Sequence, residues 1–340
     1  MDGPLSRAKT KRAKGRDPWP SASASWARRR SRRPSSSTIE GQSDFEVVAV
    51  AARDPARAKA YAAEHKIPLM AKDYDALVRH GEVDLVYNAL PPGGHARWTV
   101  AALEAGKHVL CEKPFAMNAA QVRSMNDAAA RSGKTLVEAF HYRHHLVMHR
   151  AVAIVQSGEL GRITAAEAFF EVPIAYSEGE LRWTREQGGG ALMDLGCYPV
   201  HCLRALMGGE PAVASASCVL ENGVDASTQA ALDFGGVPAS LSTSMKPQRF
   251  GATVRLTGEN GSLEILNFVA PQLGCRFTVT VEGKSREEPT AGPATYVAQL
   301  AELGDVLLRG KAPLISNADS LGNMAAIDAI YAAAGVDRRF

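Results

Sequence analysis

An acid, a phenol and an imidazole stand at helical spacing in residues 188–201, GGGALMDLGCYPVH. Asp194, Tyr198 and His201 occupy positions i, i+4 and i+7, which would place their side chains on one face of a helix. Burying such groups on an otherwise apolar helix is an unusual cost for a core helix, so the pattern favours a functional site. The alternative is a core helix whose polar groups are satisfied internally. Pro199 predicts a kink or a broken turn in this helix.

A lysine follows a predicted buried strand at residues 111–114, CEKP. The ammonium of Lys113 would lie among apolar walls, where it can transfer a proton or lower the pKa of a neighbouring group. On spacing alone, a surface lysine in a turn is the simpler interpretation. A second strand end, residues 90–95 (LPPGGH), has two prolines and two glycines that would fix a loop over the same sheet edge. An ordinary turn explains that segment equally well.

The order of the predicted elements explains how these groups could meet. From Phe45 to about Phe140, strands alternate with helices, which predicts an α/β, Rossmann-type doubly wound parallel sheet over residues 44–140. In such sheets a nucleotide binds at the carboxyl ends of the strands, where residues 90–95 and 111–114 fall.

The second half of the chain has a different pattern. Residues 141–340 contain mostly antiparallel strands, with one helix inserted at about 190–207 and two final helices at 294–309 and 317–334. We expect a C-terminal α+β substrate-binding domain built on an open, mostly antiparallel sheet. Its last helices could pack back on the first domain.

Residues 1–43 differ from the rest of the chain. They have eleven Lys and Arg against three acids and no apolar period, which is typical of a disordered segment, a transit peptide or a basic arm. Phe45 begins what looks like the second strand of the nucleotide unit, yet no Gly-x-Gly-x-x-Gly turn precedes it. One choice of codons for residues 21–27, read out of frame, gives Gly-Ile-Gly-Ile-Met-Gly. We therefore interpret residues 1–43 as out-of-frame or disordered, with the first strand missing.

Composition excludes several classes of protein. Residues 1–43 carry a net charge of +8. Since the whole chain has a net charge of +3, the remaining residues carry about −5, and no nucleic-acid partner is expected. No apolar run reaches the roughly 18 to 20 residues of a membrane span, and no secretory signal follows the arginines. Five cysteines without a C-x-x-C pair favour a cytoplasmic protein. His141, His145 and His149 have the spacing of metal pairs but lack a neighbouring cysteine or carboxylate, so no metal is expected.

Together these motifs resemble the Gfo/Idh/MocA oxidoreductases, especially the dihydrodiol dehydrogenase and glucose–fructose oxidoreductase branch. The resemblance rests on five blocks: AVAARD at 49–54, AGKHVLCEKPFA at 105–116, EAFHYRHH at 138–145, GGGALMDLGCYPVH at 188–201 and TGENGSLEI at 257–265. They follow one another in order over residues 45–336. The resemblance does not extend to residues 1–43.

The resemblance implies an NAD(P)-dependent oxidoreductase with Lys113 as a catalytic residue. Inositol dehydrogenase-like members have a histidine four residues after the aspartate, whereas this chain has Tyr198, as in the dihydrodiol branch. Tyr198 would then be the general acid and base, with Lys113 lowering its pKa and Asp194 orienting the substrate hydroxyl or carbonyl. The cofactor would carry the hydride.

Arg53 bears on which cofactor is used. An acid at the end of the second strand binds a ribose 2′-hydroxyl, whereas an arginine suits a 2′-phosphate, so NADP(H) is favoured over NAD(H). The full set of expected cofactor-binding residues is Arg53, Leu90, Pro91, His95, Glu112, Lys113 and Arg143.

The expected substrate is a small molecule: a sugar, a polyol or a cyclic diol. Residues 172–187 would line its pocket, and Trp183, Asp194 and His201 would contact it. A sugar–sugar oxidoreductase that retains its cofactor is a second enzymatic interpretation. A catalytically silent ligand-binding protein is the alternative from another class, because the dinucleotide-binding turn is absent. The open sheet could pair with a copy of itself to form a dimer or higher oligomer.

Overall fold

A computed structural model of the chain describes residues 25–27 and 44–337, which form two sheets. The strands of the first sheet are β1 Ser25–Ala27, β2 Ala49–Ala51, β3 Leu69–Met70, β4 Leu85–Asn88, β5 His108–Cys111 and β6 Leu136–Glu138. They lie in the order β3-β2-β1-β4-β5-β6. The helices between them are α1 Pro55–His65, α2 Tyr74–Val78, α3 Pro92–Glu104 and α4 Ala119–Ser132.

The first sheet has the predicted Rossmann-type pairing. β2 pairs with β3, β4 with β5 and β5 with β6, all in parallel, because each crossover helix returns the chain to the same end of the sheet. Parallel strands are buried on both faces, which explains the continuous apolar runs at β4 and β5. The carboxyl ends of β4 and β5 therefore lie side by side.

The position between β2 and β4 is occupied by β1, which runs antiparallel to both neighbours. A doubly wound nucleotide-binding sheet has a parallel strand there, and residues 25–27 and 44–337 contain no such strand in that position. The out-of-frame hypothesis and the expected glycine turn concern residues 1–43, which, apart from Ser25–Ala27, lie outside the described residues.

The second sheet has eight strands and is mostly antiparallel, as predicted. Its strands are β7 Ile163–Glu171, β8 Ala212–Glu221, β9 Val224–Asp233, β10 Pro238–Ser244, β11 Gly251–Gly258, β12 Gly261–Leu266, β13 Arg276–Val281 and β14 Lys284–Glu287. They lie in the order β14-β13-β12-β11-β7-β10-β9-β8. Among these pairs only β7 and β10 are parallel.

Helices cover one face of the second sheet. The remaining helices are α5 Leu146–Ser157, α6 Cys197–Met207, α7 Thr295–Arg309 and α8 Asn317–Ala333. α6 packs against β7, β10 and β11, and α8 packs against β8. Burial alternates along β10 and β11, since one side of each strand faces these helices. The opposite side faces solvent, with a shallow depression of about 540 Å³ between β7, β8, β9 and β10.

The last two helices pack against the first domain. Leu300 and Leu303 of α7 join an apolar cluster with Phe45, Leu85 and Tyr87. The Ala119 N–H at the start of α4 donates to Asp328 on α8 at 2.8 Å. These contacts hold the carboxyl ends of β4 and β5 against the second domain.

None of the helices between residues 44 and 337 is long and apolar enough to cross a membrane. Within the same residues, no three His, Cys, Asp or Glu side chains lie together as a metal ion would require. His141 and His145, at metal-pair spacing, have different partners: the Thr295 hydroxyl and the Val147 N–H.

Candidate active site

Lys113 and Asp194 meet where the two domains meet. Lys113 follows β5 and is joined to Pro114 by a cis peptide bond. Its Nζ lies 2.9 Å from Asp194 Oδ1 and 2.9 Å from the Asp194 carbonyl oxygen. Both side chains are only partly exposed, 15% and 23%, so the ion pair lines a cleft rather than an open surface.

Asp194 is carried by a π-helical turn, Leu192–Gly196, which runs directly into α6. Pro199 has no N–H to donate to the Leu195 carbonyl, so the regular ladder is interrupted at the start of α6. This is the irregular turn that the sequence predicts. A π turn also changes the angular phase of the residues that follow it.

The glycines before this turn make contacts within the protein. Gly190 has a φ of +121°, and an added Cβ would lie 2.1 Å from Asp225 Oδ1. Asp225 in turn accepts the Leu192 N–H at 2.7 Å and fixes the start of the π turn. At Gly188 a Cβ would lie 2.6 Å from Pro92 Cβ. These two glycines allow the close packing that positions Asp194.

Arg182 is a second cation on the Asp194 carboxylate. Arg182 Nε lies 2.9 Å from Asp194 Oδ2, and its terminal nitrogen lies 3.2 Å from Glu180 Oε1. Burial by itself would raise the pKa of Asp194, but the charges of Lys113 and Arg182 hold it below its ordinary value. Burial would likewise lower the pKa of Lys113, and the Asp194 carboxylate raises it above the ordinary value. Both groups are therefore charged at neutral pH.

Tyr198 lies beside this ion pair in the first turn of α6 and is buried. The Lys113 ammonium is 5.0 Å from the centroid of its ring. The Tyr198 hydroxyl lies 3.1 Å from His141 Nε2. Lys113, Asp194 and Tyr198 are thus brought together, although they come from different domains.

The direction of the Tyr198 pKa differs from the expectation. Burial, followed by the nearby Cys197 and Glu112, raises this pKa well above its ordinary value. Lys113 does not reverse this effect, because its ammonium is bound to Asp194 and lies over the ring rather than at the hydroxyl. Tyr198 is therefore a protonated phenol at neutral pH.

Glu112 holds the backbone of Lys113 through a hydrogen bond. The Tyr87 hydroxyl donates to Glu112 Oε1, and the Lys113 N–H lies 3.1 Å from Glu112 Oε2. Burial raises the pKa of Glu112. Both carboxyl oxygens of Glu112 accept hydrogen bonds, so Glu112 positions Lys113 just after the end of β5.

His95 joins the two loops that follow β4 and β5. Its buried ring places Nδ1 3.0 Å from the Pro114 carbonyl oxygen and Nε2 2.5 Å from the Leu90 carbonyl oxygen. Burial lowers the pKa of His95 to about 4, so the ring is neutral. Leu90 is also buried, whereas Pro91 is partly exposed at the cleft side of the loop. His95 and Leu90 therefore shape this loop from inside.

The two arginines expected to bind the cofactor lie in different environments. Arg53 is exposed just after β2, and its neighbour Asp54 is committed to capping α1 through the Ala56 N–H at 2.8 Å. Arg143 follows β6 and has a buried guanidinium nitrogen without a hydrogen-bond partner among the described residues. The positive charge of Arg143 contributes to lowering the pKa of His201, so its guanidinium lies near α6.

The structure does not give His201 or Trp183 access to the cleft. His201 is 1% exposed, and its ring nitrogens lie 2.7 Å from the Tyr142 hydroxyl and 3.0 Å from Asp319 Oδ2. Phe140 stacks on His201 and separates it from Tyr198. Trp183 is buried and donates its indole N–H to a backbone carbonyl at 3.1 Å. Both side chains support the walls of the site in this structure.

Two contacts of the site were not predicted from the sequence: the bond of Arg182 to Asp194 and that of His141 to Tyr198. Arg182 lies in the expected pocket segment, but nothing in its neighbourhood signals a bond to a residue twelve positions away. His141 was considered only as a metal ligand, whereas the structure places it against Tyr198. The available signal was its position directly after a strand whose carboxyl end faces the cleft.

Two family models match the chain. A model described as "Oxidoreductase family, NAD-binding Rossmann fold" matches residues 31–140. A second, the "GFO/IDH/MocA C-terminal domain", matches residues 148–264. Together they span more than half of the chain and most strands of both sheets.

Known proteins of similar sequence and structure are sugar and diol oxidoreductases. A D-xylose 1-dehydrogenase (NADP(+)) from Haloferax volcanii is 32% identical over 86% of this chain and 90% of its own length. A trans-1,2-dihydrobenzene-1,2-diol dehydrogenase from Sus scrofa is 33% identical over 73% of each chain. A crystal structure of a 3-ketoreductase from Actinomadura kijaniata, in complex with NADP and TDP-benzene, is 26% identical. It aligns with a TM-score of 0.76 over 85% of this chain and 89% of its own.

Proposed function

Since this chain belongs to the GFO/IDH/MocA family of oxidoreductases, we propose that it transfers a hydride between a nicotinamide cofactor and a sugar, polyol or cyclic diol. The observation that carries the proposal is the contact of Lys113 with Asp194 beside Tyr198. An ammonium, a carboxylate and a phenol converge at the carboxyl ends of β4 and β5, where this fold binds its ligands. The relatives named for D-xylose and for a dihydrobenzene diol support the substrate class.

Tyr198 is the proposed proton donor and acceptor. When bound, the nicotinamide supplies or accepts the hydride. Tyr198 Oη gives its proton to the substrate carbonyl oxygen in reduction and becomes a phenolate; in oxidation this phenolate, after loss of its proton to solvent, takes the proton of the substrate hydroxyl. Its raised pKa keeps the proton in place until substrate is bound. The ammonium of Lys113, 5.0 Å from the ring centroid, stabilises the phenolate as the proton leaves.

Asp194 orients the substrate. Its lowered pKa keeps the carboxylate ionised, so it can accept hydrogen bonds from substrate hydroxyl groups. Lys113 and Arg182 hold the two carboxylate oxygens in fixed directions. A polyhydroxylated or vicinal-diol substrate is the class that such an arrangement of charged donors and acceptors suits.

NADP(H) is the proposed cofactor, in preference to NAD(H). The described residues fit a 2′-phosphate, since Arg53 is exposed after β2 while the carboxylate of Asp54 is used as a helix cap. The loop at residues 90–95 and Glu112-Lys113 would border the nicotinamide half. The 3-ketoreductase bound to NADP and the NADP(+)-dependent xylose dehydrogenase are consistent with this preference.

The direct test of this function is a substrate screen with both cofactors. The purified chain is assayed for reduction of NADP and NAD by aldoses, polyols and trans-diols, with the change in absorbance at the nicotinamide band as readout. The expected result is turnover of at least one hydroxyl-bearing substrate with NADP. Binding of NADPH without turnover of any member of these classes would contradict the proposed substrate class.

The direction of β1 favours a second candidate, a silent ligand-binding protein. Because β1 is antiparallel to its neighbours, its carboxyl end points away from the edge where the cofactor pyrophosphate would lie. NADPH titration, followed by its fluorescence, separates the candidates when this chain is compared with a version whose first strand ends in Gly-Ile-Gly-Ile-Met-Gly. If this chain is a silent ligand-binding protein, it should bind NADPH weakly, and the version with the glycine turn should bind NADPH tightly. Equal, tight binding by both would exclude it.

The outer face of the second sheet is the proposed site of self-association. Small and polar residues of four strands line its depression, including Ser217, Gln229 and Ser240. An open face with short side chains lets two copies approach closely. Ser240→Arg should shift the sedimentation coefficient of a dimer to that of a monomer. An unchanged coefficient would contradict assembly through this face.

A further inference from the structure

The hydroxyl of Tyr198 is the first member of a hydrogen-bonded chain of three residues. Its Oη lies 3.1 Å from His141 Nε2, and His141 Nδ1 lies 2.8 Å from Thr295 Oγ1. The three residues come from separate elements: α6, the turn after β6, and the first residue of α7. Tyr296 stacks on the His141 ring with centroids 4.1 Å apart. The imidazole is therefore fixed on both edges and on one face.

His141 is a neutral imidazole with one N–H. It is 5% exposed, and burial, followed by the charges of Lys113 and His144, lowers its pKa to about 3. The proton must stand on either Nδ1 or Nε2. With the proton on Nδ1, Nε2 would accept the Tyr198 proton and direct it away from the cleft. With the proton on Nε2, the Tyr198 O–H remains free for a substrate oxygen, and Thr295 donates to Nδ1.

We propose that His141, protonated on Nε2, donates a hydrogen bond to Tyr198 Oη and positions it for proton transfer, while the Thr295 hydroxyl donates to Nδ1. This inference rests on the proposed function, since it assigns a role relative to the Tyr198 proton. His141 is a positioning residue, because it touches Tyr198 and not the substrate.

The effect of this bond grows as the reaction proceeds. A neutral phenol accepts an N–H bond of ordinary strength, whereas a phenolate accepts a charge-assisted bond that is shorter and stronger. When Tyr198 gives its proton to the carbonyl oxygen of the substrate, the negative charge left on Oη is met by the Nε2–H. Interactions that strengthen only in the transition state raise kcat with little effect on KM.

Three substitutions separate hydrogen-bond donation from packing. His141→Phe keeps an aromatic ring against Tyr296 but removes the donor, so kcat should fall about 10-fold or more while KM changes less than about 2-fold. His141→Gln places an amide N–H near the position of Nε2 and should recover most of the lost kcat. Thr295→Val removes the hydroxyl that pairs with Nδ1 and fixes the ring, and it should lower kcat by roughly 3-fold. The exposed His149 on α5 provides the matched control, His149→Gln, which should leave kcat unchanged.

A double-mutant cycle with Tyr198→Phe tests whether His141 acts through Tyr198. The expected result is that His141→Phe has no further effect on kcat once the Tyr198 hydroxyl is gone. An equal loss in both backgrounds, or a Gln variant as impaired as the Phe variant, would overturn the inference while leaving the role of Tyr198 intact. If Tyr198→Phe alone retains full kcat, the proposed acid fails and the inference fails with it. Thermal unfolding of each variant shows whether it folds. If His141→Phe does not fold, the test uses Thr295→Val and His141→Gln instead.

Discussion

The ammonium of Lys113 donates to both the carboxylate and the backbone carbonyl of Asp194, a residue 81 positions further along the chain. The two contacts join the end of a parallel strand in one domain to a π-helical turn in the other. Because both side chains are mostly shielded from water, loss of one partner leaves a charge without compensation. The pair therefore fixes the cleft geometry as well as its charge.

Lys113→Ala should lower kcat by roughly 10² or more, because the cation that stabilises the Tyr198 phenolate is removed. The loss is measured as steady-state turnover with saturating cofactor and substrate. Lys72→Ala, at an exposed lysine after β3, is the control. Turnover within about 2-fold of the unsubstituted protein would remove Lys113 from the mechanism.

Tyr198→Phe should lower kcat by roughly 10², and it should lower stability by about 1 to 3 kcal/mol because buried His141 Nε2 loses its partner. The ring contacts with Phe140 and Phe170 persist in the variant. Tyr74→Phe, on α2 and packed against Trp98, should have no effect on kcat. If the Tyr198→Phe protein turns over at the full rate, a group other than Tyr198 is the general acid.

Arg182→Met should shift the acidic limb of the kcat/KM profile to higher pH. Arg182 and Lys113 hold the Asp194 pKa below its ordinary value, so this carboxylate stays ionised as the pH falls. Removing one cation raises that pKa, and activity that needs the carboxylate is then lost earlier on acidification. The pH–rate profile of Arg123→Met, at an exposed site on α4, should match that of the unsubstituted protein. If the acidic limb of the profile does not shift, the Asp194 carboxylate does not have to be ionised for activity.

Arg53→Ala should weaken NADPH binding by about 10-fold and leave NADH binding unchanged, because only NADPH has a 2′-phosphate. Fluorescence titration with each cofactor measures the two dissociation constants. Lys59→Ala, on an exposed position of α1, controls for a general loss of positive charge. An equal loss of affinity for both cofactors would contradict a contact with the 2′-phosphate.

His201→Ala should lower stability and leave KM unchanged. The buried ring bridges the Tyr142 hydroxyl and the partly exposed Asp319 carboxylate, which also pairs with Arg204, so truncation leaves one buried hydroxyl short of a partner, at about 1 to 3 kcal/mol. Thermal or urea unfolding gives the stability, and steady-state kinetics gives KM. A large rise in KM at unchanged stability would restore His201 as a substrate contact.

Local chemistry in the sequence was sufficient to predict the fold class and to single out three residues that the structure brings together. Alternating strands and helices determine a parallel sheet, because each crossover returns the chain to the same edge. The strand end at Lys113 and the acid–phenol spacing of Asp194 and Tyr198 are local patterns, and the structure brings all three together. Pro199 likewise predicts the irregular turn before α6 from the loss of a single N–H.

Only the tertiary structure decided which side chains reach the cleft. Helical spacing puts His201 on the same face as Tyr198, but in the folded chain Phe140 packs against both rings and His201 bonds to Tyr142 and Asp319. The bonds of Arg182 to Asp194 and of His141 to Tyr198 join residues from different elements, and no sequence period encodes such pairs. Spacing along a chain fixes the direction of a side chain relative to its own helix or strand. What that side chain meets depends on packing between elements, which forms only when the whole chain has folded.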